Sequence, residues 1–167
     1  MALVDQHNAI LTKDNLAKKN WSDDMHCLFC NEVETIDHLF FVRVSSKYTW
    51  SLVASVLGAS HRPISFGQFW QWASVLLPNR KHFHIIGLAA ICWALWTTRN
   101  DSCFEKKAIR SPTKIVCSAS SFIKYWAGPQ TGRNKEELEA GAAALLKTAL
   151  HFHTQASGNG AGIALLQ

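Results

Sequence analysis

Cys27-Leu28-Phe29-Cys30 puts two thiols on one tight loop, and His38 follows after seven intervening residues. Thiolate and imidazole are the ligands a structural zinc takes, four at a time in a tetrahedron. The loop supplies two corners, and a histidine returning from a following helix supplies a third. A C-x2-C-x7-H-x4-C set would be completed by cysteine at position 43, but the residue there is Arg43. Arginine stays protonated and has no acceptor, so it cannot ligate. His26 adjoins Cys27, which makes sharing one ion geometrically awkward. The candidate ligands are therefore Cys27, Cys30 and His38, and the implied cofactor is zinc. Two outcomes stay open at this level: zinc held at reduced affinity, or a packed loop without metal. Three ligands plus water is also the geometry of a catalytic zinc, but only Glu32 and Asp37 offer themselves as a base, and neither is well placed.

The remaining chemistry-bearing residues give weaker patterns. His82-x-His84 and His151-x-His153 fall on expected helices, where residues two apart point in nearly opposite directions. Cys92 and Cys117 read as core thiols. Asp23-Asp24 follows a tryptophan in a loop, with no sheet to hold it as a polymerase acid pair. No Ser-His-Asp set, phosphate loop or dinucleotide fingerprint appears. The expectation is a protein without catalytic activity of its own.

The elements that must position the ligands read as helical nearly throughout. Thr12 caps a helix through Leu16 to Asn20, and Trp21 to Asn31 is loop. Thr35 caps Ile36 to Phe41, which turns His38 back toward the cysteines. Ser45 or Ser46 caps a helix that Gly58 stops. Ser65 caps a helix ended by Pro78. The longest helix runs from about Asn79 to Phe104, with Trp93 and Trp96 expected to be largely buried on one flank. Ser111-Pro112 opens another helix, which ends at Gly128-Pro129. Asn134 caps the last one. The expected class is all-α: a small helical domain with an irregular zinc-knuckle-like loop near its N-terminus. We divide the chain into residues 1–60 around the cysteines, a helical region 61–155 and a flexible tail 156–167.

Composition agrees with a folded chain: 48% of its residues are apolar and seven are tryptophan. The first twenty residues lack the pattern of a signal peptide. The apolar run Phe83 to Trp96 is too short for a membrane span and contains His84. An odd number of cysteines without regular spacing points to a reducing compartment, nuclear or cytoplasmic. Charge is uneven: residues 1–60 carry net −2, 61–133 carry +8 and 134–167 carry −1. A basic, tryptophan-rich middle fits phosphate contact and stacking on RNA or single-stranded DNA; a solvated face over an aromatic core is the plainer alternative. The candidate contacts are Arg99, Lys106, Lys107, Arg110 and Lys114, close together around one helix-to-helix junction.

Several stretches resemble a known family. Ile10 to Trp21, Cys27-x2-Cys30, Glu34-Thr35-Ile36-Asp37-His38-Leu39-Phe40-Phe41 and Trp50 look like the zinc-binding domain at the C-terminal side of reverse transcriptases from plant non-LTR (LINE-type) retrotransposons. The block Cys92 to Asn100, followed by Phe104, is similar to the segment after it. Residues 10–110 carry the resemblance. It implies a parent protein that copies RNA into DNA at a nicked chromosomal target, with the zinc module gripping template RNA or target DNA. Cys27, Cys30 and His38 match family ligands, and Arg43 stands where the family has its last cysteine. The polymerase palm and endonuclease of such elements are absent from this chain, so the resemblance implies an element-derived fragment that does not polymerise.

Overall fold

The computed structural model describes residues 10–21, 24–105 and 111–159. It is all-α. The helices are α1 (Lys13–Ala17), α2 (Val44–Val56), α3 (Phe66–Leu76), α4 (Lys81–Cys103), α5 (Pro112–Ala127) and α6 (Gly132–Asn159), with a π-helical turn at His38–Val42 before α2. Among the described residues there is no strand, only an isolated antiparallel bridge between His26 and Val33. No described helix is long and apolar enough to cross a membrane.

Local chemistry accounts for several helix boundaries. The Ser65 hydroxyl accepts from the Gln68 amide at 3.2 Å and opens α3. Ser111 accepts from the Lys114 amide at 3.3 Å, with Pro112 in the first turn, and opens α5. Gly58, at φ +69°, ends the turn after α2. Three expected caps are placed differently: Thr12 stands at the start of α1, but its hydroxyl donates to the Asp14 carboxylate and accepts no capping bond. The start of α2 has no side-chain cap: Ser46 instead donates to the Leu39 carbonyl at 2.6 Å, and Ser45 accepts from Arg43. Asn134 lies inside α6, which begins at Gly132 and continues through Ser157 to Asn159.

Two connected cores hold the helices. The first joins Leu39, Phe40 and Phe41 of the π turn to Trp50, Phe69, Trp72, Ile91, Leu95 and Ile115, so it draws on both sides of position 60. Trp50 is its centre. The indole stacks on Phe41 at 5.3 Å, and its N–H donates to the Phe40 carbonyl at 2.7 Å. That bond satisfies the one polar atom a buried indole brings with it. The second core packs α5 on α6 through Val116, Ile123, Leu138, Ala142, Leu145 and Ala149. Alanines at Ala142 and Ala149 let the helix backbones approach, and Ser120 donates to the Ala142 carbonyl at 2.7 Å.

The expectation for the α4 tryptophans is corrected. Trp93 is 50% exposed and Trp96 is only partly buried. The core-facing stripe of α4 is Leu88, Ile91, Ala94 and Leu95. Apolar residues nearly encircle this helix, so periodicity alone could not decide which side meets water.

Candidate metal centre

The cysteine loop is closed by short-range backbone bonds. The Cys27 amide donates to Glu32 O at 2.8 Å, and the Glu34 amide donates to Met25 O at 3.0 Å. The Phe29 amide turns inward to the Cys27 sulfur at 3.4 Å. Lys13, buried in α1, steadies the approach by donating its ammonium to the His26 carbonyl at 2.6 Å.

His38 arrives from the other side. The Thr35 hydroxyl accepts from its amide at 3.1 Å, the capping bond that the sequence suggested. Its ring Nε2 lies 3.3 Å from the Cys30 sulfur. The Sγ atoms of Cys27 and Cys30 and a ring nitrogen of His38 all lie within 4.8 Å of one another. Tetrahedral zinc, with bonds of about 2.3 Å to sulfur and 2.0–2.1 Å to nitrogen, spaces its ligand atoms by roughly 3.5–3.8 Å. The three donors therefore converge as such a site requires. Burial holds the His38 imidazole below its usual pKa, with the Arg43 charge adding to the effect. Both favour the neutral ring that ligates. Burial raises the Cys27 thiol, while Arg43 opposes that rise.

The π turn explains why Arg43 shares this space. In an α-helix, residues five apart diverge by about 140°. Here the Arg43 amide donates to the His38 carbonyl at 2.8 Å, an i to i+5 bond that stacks Arg43 one turn above His38. Arg43 is 1% exposed, with its guanidinium over the Phe29 ring at 4.4 Å and its Nε on Ser45 at 3.0 Å. Nη1 and Nη2 are buried without a well-formed hydrogen bond, although the Cys27 sulfur is near enough for its charge to be felt. Zinc thus fits three corners. Arg43, a cation with N–H donors only, lies beside Cys27 and offers no fourth ligand.

Glu34 links this site to α4. Its carboxylate, fully buried, accepts from Arg99 Nη2 at 2.6 Å and Nε at 3.1 Å, and from the Lys13 amide at 3.2 Å. No spacing rule relates residues so far apart, and the pair has no signature in the sequence. It also corrects the expectation that Arg99 meets nucleic acid: Arg99 is 1% exposed, and its charge is neutralised internally. Lys114 is exposed on α5. Lys106, Lys107 and Arg110 lie outside the described residues.

Residues 2–50 match the family model described as zinc-binding in reverse transcriptase. The matched segment takes in the cysteine loop, His38, Arg43 and the first half of α2. It agrees with the resemblance seen around the cysteines, and it stops short of the Cys92 to Phe104 block. No curated protein and no solved structure matches the chain.

Proposed function

We propose that this chain is a non-catalytic nucleic-acid-binding module derived from the reverse transcriptase of a plant non-LTR, LINE-type element. Its carrying observation is the convergence of Cys27, Cys30 and His38 inside the matched segment. In this reading those three residues hold zinc, which supplies a structural cross-link between the cysteine loop and the π turn. Neutral His38, held by the Thr35 cap, and the Cys27 sulfur, held by the Phe29 amide, are preset for that role. Binding, not chemistry, is the module's work.

The partner is RNA or single-stranded DNA. Support comes from the charge of the chain: residues 61–133 are net +8, whereas residues 1–60 around the cysteines are net −2. Phosphates therefore meet Lys114 and the Lys106, Lys107 and Arg110 of the α4–α5 connection, not the cysteine loop. Fluorescence anisotropy with labelled single strands across a salt series tests the reading. Affinity that falls steeply with salt supports it, and no binding at low salt removes it.

A second reading has a specific observation behind it. The buried guanidinium of Arg43 lies over Phe29 beside Cys27, where the family's last ligand would approach. This favours a helical protein-interaction module, or an element relic, that binds neither metal nor nucleic acid. Zinc content of the purified chain separates the two.

A further inference from the structure

We propose that the groove between α4 and α5 is a stacking platform for the unpaired bases of a single-stranded nucleic acid. This rests on the nucleic-acid reading above and adds where the bases sit. The groove is lined by Trp93 of α4 and by Ser121, Phe122, Tyr125 and Trp126 of α5, with a volume of about 460 Å³. That falls within the roughly 300–1,000 Å³ of small-molecule clefts. It lies outside the segment matched to the zinc-binding family.

Its rings are arranged to receive further rings. Phe122 and Trp126 stack at 6.0 Å with their planes 23° apart, and Trp93 meets Phe122 edge-on at 6.3 Å. These contacts brace the floor. Tyr125 is 76% exposed and Trp93 50% exposed, so each offers open ring surface to a base. Stacking on such rings is tolerant of sequence, since every base has a π face.

Charge complementarity selects the occupant. Pro112–Ala127 contains Lys114 and Lys124 and no acidic residue. Both lysines are exposed, and no ion pair joins either to a described acid. Lys114, Ser118, Ser121 and Tyr125 follow helical spacing down one stripe, roughly 16 Å long at 1.5 Å per residue. A strand laid along it meets a cation and then aromatic rings.

The experiment uses the full chain with fluorescein-labelled oligo(U), oligo(dT) and an abasic strand of equal length. Wild type should bind both base-bearing strands more tightly than the abasic one, and the ratio of the two names the preferred sugar. Trp93→Ala and Tyr125→Ala should each weaken binding about tenfold without changing the salt slope, whereas Tyr125→Phe should bind like wild type. Both rings are exposed, so the melting midpoints of the variants should stay within about 4 °C of wild type. If wild type binds and both alanine variants bind equally well, the groove proposal is overturned while the nucleic-acid reading stands. If wild type binds no strand at low salt, both fall. If sedimentation shows a wild-type dimer that Trp93→Ala dissolves, the face joins two copies of this chain, and the stacking proposal is overturned.

Discussion

Arg99 and Glu34 form a buried ion pair, Nη2 to Oε1 at 2.6 Å, between the end of α4 and the cysteine loop 65 residues earlier. Neither side chain is more than 1% exposed. A buried pair of this kind need not stabilise more than an apolar pair would, but breaking it strands a charge. Glu34→Ala or Arg99→Ala should therefore cost about 3–5 kcal/mol in urea melts. The two changes combined should cost less than their sum, because neither charge then remains. A single-variant loss below about 1 kcal/mol would mean that water reaches the partner left behind.

The tryptophans divide by burial. Trp50 is 1% exposed and holds both a stacking contact and a hydrogen bond, so Trp50→Ala should cost about 3–5 kcal/mol. Trp93→Ala should cost under about 1 kcal/mol, since half of the ring is already in water. Denaturant midpoints at constant m-value check both.

How much of this was readable beforehand depends on the range of each interaction. The C-x2-C loop, the Thr35 cap behind His38, Ser65, Ser111 and Gly58 are local chemistry, and their types and spacing announced them. The π turn was not announced, because an i to i+5 bond leaves no periodicity in five residues. It is nonetheless what brings Arg43 over the site. Glu34–Arg99 was equally silent, since a tertiary ion pair has no sequence period, and Arg99 read as an exposed cation for that reason. Trp93 read as buried because α4 is apolar nearly all round.

Phosphate contact by the α4–α5 connection predicts a salt effect separable from stacking. Changing Lys106, Lys107 and Arg110 together to Gln should weaken binding to a single strand. It should also flatten the slope of log K against log salt by up to about 2 units, at roughly 0.7 per phosphate contact. Anisotropy titrations at several salt concentrations measure it. An unchanged slope, with binding lost on Cys27→Ser, would move the contact to the cysteine loop.

Side chain 43 is expected to limit metal affinity. Arg43→Cys replaces a buried cation with a thiolate ligand and completes four protein donors. Zinc affinity should rise by at least tenfold in competition with a chelator. Equal affinities for the two chains would show that side chain 43 does not reach the metal.

Zinc held by Cys27, Cys30 and His38 should show in the metal stoichiometry of the purified full chain. Equilibrate the reduced protein with excess zinc, remove the unbound metal, and measure zinc per chain beside the Cys27→Ser, Cys30→Ser double variant. Zinc binding by these residues gives one equivalent in the wild type and none in the variant, with thermal stability of the wild type falling on chelation. A folded wild type that retains no zinc, and melts alike with and without chelator, would contradict it.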